Sequence, residues 1–386
     1  MPRQSKKRLS TKKSSAQEKH AKFTNPLNVF NQTIRKKKYR KTPFPETTAT
    51  LEKMNCNPVV KHKTLTKDTC YTPHILAKIK TAYNENYPKD KIKATFPEDV
   101  LYELRKRMTN CKKEDCWLEQ IKNAEMRRQI DDLIFAPDQP KEWKNDPDEW
   151  LSNFDIAAVL RQYEKSHLHF KLLGPSSIDY DTIISNDGDH DNHENNGSEP
   201  KKCVWEELCR LSLADLIEHK KRKLGIVFNL DKHDEPGSHW VSMFVDFDHA
   251  LIFYYDSALN EIPSEILRLK EEIIKQGKEL ASPIYFKFIH NKHMHQQSNT
   301  ECGMYALFFI ITMLTRSVEP ITKKSGSEPK GGEHMQAQTS SKSRKGKIGF
   351  DFSDQEMSIH DTTDLFLNNT IPDKYVQEYR NIYFNR

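Results

Sequence analysis

Gly237-Ser238-His239-Trp240-Val241-Ser242-Met243-Phe244-Val245-Asp246-Phe247 runs through Asp248-His249-Ala250 into Leu251-Ile252-Phe253-Tyr254-Tyr255-Asp256. Two stretches dense in β-branched and aromatic residues around a short polar turn predict an antiparallel hairpin. A hairpin returns to its starting edge, so His239 at the opening of one strand and Asp256 at the close of the next are brought together. A carboxylate on one ring nitrogen fixes the tautomer of an imidazole. Farther along, Gln296 and Gln297 precede Cys302-Gly303, which open the apolar run Met304-Tyr305-Ala306-Leu307-Phe308-Phe309-Ile310-Ile311. That run reads as a buried helix, and the positive end of a helix macrodipole favours a thiolate at its start.

Thiol, imidazole, acid and amide are the four groups that thiol-dependent acyl transfer requires. They serve as nucleophile, general base and acid, orienter, and oxyanion donor. Singly, each has an ordinary structural explanation, such as a small buried thiol or a core histidine. Their arrival together in one stretch favours the chemical explanation. Asp246 is a rival acid but lies at the far end of the His239 strand, and His233 is a rival base in the turn-like run Asp231-Lys232-His233-Asp234-Glu235-Pro236. Either Gln296 or Gln297 would supply the oxyanion amide.

Outward from this centre, 226–228 and 284–289 also read as strands, 261–279 as an amphipathic helix begun at Pro263-Ser264, and 350–386 as a return to the domain in a last helix. The polar stretch 185–200 and the Ser/Lys/Gly/Gln-rich stretch 323–346 read as surface insertions. The second insertion holds the only Gly-Gly pair of the chain, Gly331-Gly332, a site for self-cleavage if such a pair is accepted. Upstream, Ile75, Ile79 and Tyr83 recur every four residues, and Pro97-Glu98-Asp99 is a helix start. Pro137, Pro140 and Pro147 punctuate a linker, and Trp150-Leu151-Ser152-Asn153 leads into the apolar positions Ile156, Val159, Leu160 and Tyr163. The chain thus divides into a basic tail (1–45), a helical N-terminal region (46–146) and an α+β domain (147–386).

The 386 residues carry a formal net charge of +6. Fourteen Lys/Arg stand against Glu18 alone in residues 1–43, so the rest of the chain is net −7. A tail this charged and poor in apolar residues predicts disorder. It would neutralise phosphates in a salt-sensitive, sequence-blind way, or serve as a targeting or solubilising segment. No apolar run reaches the roughly 18 to 20 residues that span a bilayer, no leader-like apolar segment opens the chain, and 30% of residues are charged. These features predict a soluble protein with no membrane partner. Seven cysteines in no regular framework predict reduced thiols and an intracellular setting. Cys111 and Cys116 lack a second pair to make a zinc site and read as two separate thiols. His290, His293 and His295 lack an accompanying cysteine pair or a helical glutamate. No metal and no cofactor is expected.

His239-Trp240, Asp256-Ser257, Gln296 and Asn299-Thr300-Glu301-Cys302-Gly303 resemble the SUMO- and ubiquitin-like-protein protease superfamily of cysteine peptidases. With Gln six residues before Cys, they are most similar to the core-protein proteases of asfarviruses and poxviruses, and more distantly to the adenovirus endopeptidase. The likeness covers about 150–313. It implies a papain-like α+β catalytic domain, a cysteine-type endopeptidase (a thiol protease, hydrolase) with Cys302, His239, Asp256 and Gln296 as its catalytic residues, and cleavage after Gly-Gly or a similar small pair. It also implies a narrow substrate tunnel lined by Trp150 and Trp240. Asn153 departs from the aspartate usual at that position. The role implied is processing of viral structural polyproteins in the virion and the viral factory of the host cytoplasm. A deconjugase for SUMO-like modifiers would share the site. An inactive module binding a ubiquitin-like protein or nucleic acid is the alternative of another class.

Overall fold

In the computed structural model, residues 51–184, 202–318 and 356–386 are described. The basic tail, the two polar insertions and Gly331-Gly332 lie outside them. The expected hairpin is present: β5 (Trp240–Asp246) pairs antiparallel with β6 (Leu251–Tyr255) through a four-residue turn. Its side chains alternate between two cores. Trp240, Phe244, Phe253 and Tyr255 face one, and Val241, Met243, Val245, Ile252 and Tyr254 face the other. A strand covered on both faces reads as a continuous apolar run, which is why this segment is so dense.

Around the hairpin stands a five-stranded sheet in the order β1-β4-β5-β6-β7. It comprises β1 (Phe170–Ser177), β4 (Lys223–Asn229) and β7 (Lys287–His290) besides the hairpin, with β1 parallel to β4 and β7 parallel to β6. β2 (Ile183–Ile184) and β3 (Lys202–Cys203) form a small separate ribbon. Strand β1 is a finding beyond the sequence reading. Its Gly174-Pro175 looks like a chain breaker, and the register does shift there, between Leu173 and Ser176. The last strand is shorter than expected, because 284–286 precede its ladder.

One face of the sheet carries α4 (Asn153–Ser166) and α8 (Cys302–Thr315), and the other carries α6 (Leu213–Glu218) and α7 (Ser264–Glu279), preceded by the short α5 (Glu206–Cys209). Every residue of α8 from Cys302 to Leu314 is buried. A helix apolar all round belongs inside a core, and α8 lies between the sheet and the C-terminal helices. At about 1.5–3 kcal/mol for each large side chain removed from water, Phe308, Phe309, Leu307 and Ile310 make it the main anchor of the domain. Gly225 permits the close approach: a Cβ there would lie 2.7 Å from the Phe170 ring and 2.9 Å from Ile310. Ser152 caps α4 in a capping box with Asp155, leaving the preceding Trp150-Leu151 outside the helix.

The C-terminal segment differs from the expected single helix. It forms α9 (Ile359–Leu367), α10 (Asp373–Glu378) and α11 (Arg380–Tyr383), because Pro372 can begin a helix but not continue one. The N-terminal region has its own core, built on α1 (Pro73–Asn86), α2 (Pro97–Arg107) and α3 (Ala124–Ile134), where Tyr71 stacks on Trp117. Asn55 and Asn385 join it to the C-terminus through backbone and amide hydrogen bonds, and the described residues fall in one compact unit.

Six of the seven cysteines are joined, as Cys56–Cys70, Cys111–Cys116 and Cys203–Cys209, with Cα separations of 5.2, 5.7 and 6.4 Å. Cys302 is free and buried. This corrects the reading of Cys111 and Cys116 as separate thiols and of the cysteines at large as reduced. The irregular spacing reflects three local loop closures, which sequence spacing alone does not reveal. Among the described residues, no helix is long and apolar enough to cross a membrane.

Candidate active site

The register of β5 on β6 pairs Ser242 with Tyr255, so His239 just before β5 and Asp256 just after β6 meet at one end of these two central strands. His239 Nε2 donates to Asp256 Oδ1 at 2.6 Å. Asp256 is 1% exposed. Its Oδ1 also accepts from the Ala258 N–H at 2.9 Å, and its Oδ2 from the Asn260 N–H at 2.8 Å and the Asn260 amide at 3.0 Å. Asn291 clamps the Asp256 backbone from both sides, accepting from its N–H and donating to its carbonyl. Burial opposes ionisation of Asp256, but His239 and these N–H donors outweigh it and hold the carboxyl below its ordinary pKa.

Burial likewise opposes charge on His239, yet the hydrogen bond to Asp256, a second one with Cys302 and the charges of both push its pKa up from 6.5 to about 9. With Nε2 on Asp256, Nδ1 is left for the Cys302 thiol. The nucleophile candidate is thus coupled to the histidine, and the histidine to the acid. Cys302 begins α8, where Gly303 allows the helix to press on Leu151 and Trp240: a Cβ on Gly303 would stand 3.0 Å from Leu151 and 3.4 Å from Trp240. Trp240 is buried and donates its indole N–H to the Leu151 carbonyl at 2.9 Å. Trp150 is half-buried and lines, with Trp240, a groove of about 800 Å³.

The two glutamines differ. Gln296 is buried, its backbone N–H donates to the Ser257 carbonyl, and its Oε1 accepts from the Ser257 hydroxyl at 2.7 Å. That bond fixes the amide's orientation, and among the described residues Nε2 has no acceptor. Gln297 is exposed and uses its backbone N–H on Asp373. The rivals are engaged elsewhere: Asp246 with His249 and Lys223, and His233 with Asp179 at 2.6 Å. His295 is fully buried between the Phe366 carbonyl and the Ile371 N–H, and burial lowers its pKa to about 4. Among the described residues, no group of three His, Cys, Asp or Glu could hold a metal.

The sequence reading missed a set of C-terminal groups. The loop from Gln296 to Cys302 is held by them. Asp373 accepts from the N–H groups of Gln297 and Ser298 and from the Tyr305 hydroxyl. The buried Glu301, next to the thiol, pairs with Arg380 at 2.7 Å, and the Arg380 guanidinium lies 4.3 Å over the Trp143 ring. Asp373 and Arg380 are more than seventy residues from the loop in sequence, and neither carries a local signature. Ser257 and Asn291 went equally unassigned.

A free thiol at a helix start, an imidazole and a buried carboxylate converging at one end of the central strands define a class, the cysteine-type peptidases. Residues 219–328 match the profile described as "Ulp1 protease family, C-terminal catalytic domain". The chain is a thiol protease, a hydrolase, and its relatives are proteins of large DNA viruses. A protein named as a thiol protease in Acanthamoeba polyphaga mimivirus is 26% identical over 268 residues, covering 64% of this chain and 81% of that one. A cysteine protease of African swine fever virus is 28% identical over 162 residues, 42% of this chain and 56% of that one; the match thus spans a little over half of that relative's length. Among solved structures, the African swine fever virus protease aligns with 87% of this chain and 97% of its own at 17% identity and a TM-score of 0.49. The C-terminal Ulp1 protease domain solved with Smt3, the yeast ortholog of SUMO, aligns with 46% of this chain and 75% of its own at 19% identity and a TM-score of 0.31.

Proposed function

We propose that this chain is an endopeptidase that cuts after Gly-Gly-like pairs and processes structural polyproteins of a large DNA virus within the assembling particle. The observation that carries the reading is the coupling of Cys302 through His239 to the buried Asp256 at 2.6 Å. Cys302 attacks the carbonyl after the second glycine as the thiolate, its proton held on His239 Nδ1, which later delivers that proton to the leaving amine. Asp256 holds the ring, and Gln296 Nε2 with the Cys302 N–H receives the developing oxyanion. Trp150 and Trp240, which line the groove beside Gly237 and Thr300, are the side chains proposed to flank the two glycines. The name "SUMO-1 cysteine protease" carried by some African swine fever virus relatives favours modifier removal as the second reading. A quenched Gly-Gly-X peptide and a SUMO-fusion reporter separate the two: cleavage of the peptide alone supports the endopeptidase, efficient cleavage of the fusion the deconjugase, and cleavage of neither an inactive binding module.

The reading carries a pH signature. His239 must hold its proton when the amine leaves, so kcat/KM is expected to fall through an alkaline limb near pH 9. Asp256→Asn removes the charge that favours the imidazolium and is expected to move that limb to lower pH, besides slowing turnover. An unmoved limb would assign the titration to another group.

The basic tail is proposed to attach the enzyme to nucleic acid. Deletion of residues 1–41 is expected to leave peptide cleavage within about twofold while weakening DNA or RNA binding, and the intact protein's binding is expected to fall steeply with salt. Affinity unchanged by the deletion would remove this role.

A further inference from the structure

The groove lined by Trp150, Trp240 and Thr300 is also lined by residues of two acidic loops. One lip carries Asp146, Asp148 and Glu149, immediately before Trp150; the other carries Asp231 and Glu235, immediately before Gly237-Ser238-His239. Among the described residues that line the groove, Lys232 is the one Lys or Arg, and His233 is engaged by Asp179. None of the five carboxylates is in an ion pair among the described residues. Their hydrogen-bond partners are neutral: the N–H groups of Asp148, Trp150, Lys232 and Gly237, the Ser238 hydroxyl and the Gln377 amide. The lips thus have no paired cation among the described residues, and a cleft lined by one sign of charge concentrates its field on whatever lies inside.

A phosphate backbone would be repelled from such a groove, and no three of its carboxylates and imidazoles are grouped to hold a metal ion. A cationic peptide segment fits it. We propose that the groove selects substrates bearing lysine or arginine in the few positions upstream of the cleaved glycine pair, with Asp148, Glu149, Asp231 and Glu235 as the specificity-determining residues. This rests on the proposed Gly-Gly reading, in which the glycines pass between Trp150 and Trp240 and the preceding residues continue into the groove.

The chain's own Lys330-Gly331-Gly332-Glu333 supplies a probe: a quenched peptide of residues 326–336, compared with Lys330→Gln and Lys330→Glu versions. Wild-type kcat/KM is expected to be about tenfold higher for Lys330 than for the Lys330→Glu peptide, since exposed charge pairs each contribute about 0.2–1 kcal/mol and several carboxylates converge. The ratio is expected to shrink at high ionic strength and in the triple variant Asp148→Asn/Glu149→Gln/Glu235→Gln. Binding of labelled copies to Cys302→Ala, read by fluorescence anisotropy, is expected to follow the same order. Equal cleavage of all three peptides would overturn the selection and leave the protease reading standing. Preferential binding of the lysine peptide with no cleavage of any would uphold the groove and refute the Gly-Gly reading. The absence of both would overturn both.

Discussion

Cys302→Ala and His239→Ala are each expected to abolish cleavage of a Gly-Gly reporter, with turnover falling by on the order of 10⁵- to 10⁶-fold. Groups that act as one unit lose nearly the whole effect when either is removed. The folded state is expected to survive both changes. Cys302→Ala removes one sulfur atom from a helix start, and His239 lies outside the β5–β6 ladder. Circular dichroism and the melting midpoint separate loss of chemistry from loss of fold. Because the other six cysteines are joined in pairs, alkylation without reductant is expected to modify one residue, Cys302. Substantial activity in Cys302→Ala would end the assignment.

Gln296→Ala is expected to lower kcat by on the order of 10²- to 10³-fold, the cost of one lost oxyanion donor, with KM changed little. Gln297→Ala is expected to be mild, because that side chain is exposed and only its backbone N–H is engaged, by Asp373. Ser257→Ala should fall between them: it leaves the Gln296 amide in place but frees it to rotate, since the Ser257 hydroxyl is what holds Oε1. The opposite ranking of the two glutamines would shift the oxyanion donor by one residue.

Much of the site was legible because it is built on local signals. The β5–β6 hairpin shows itself in two apolar runs around Asp248-His249, and hairpin geometry alone brings His239 to Asp256. The apolar run after Cys302 marks a buried helix without any tertiary knowledge. What escaped is nonlocal. Strand β1 is split by Gly174-Pro175 and is recognisable only against β4, its parallel partner. The hold on the Gln296 amide comes from Ser257, thirty-nine residues away. The support of the Gln296–Cys302 loop comes from Asp373 and Arg380 on C-terminal helices that looked like one. The cysteine pairs were missed for the same reason, since closure of a loop is a property of the folded chain.

The most direct test of the proposed mechanism is mass spectrometry of the full chain after reaction with a Gly-Gly peptide ending in a vinyl sulfone, which traps only an activated thiolate held beside the bound glycines. The mechanism predicts a single adduct, located on Cys302 by fragmentation and abolished by His239→Ala. An adduct on any other cysteine, or none under conditions where the Gly-Gly reporter is cleaved, would contradict it.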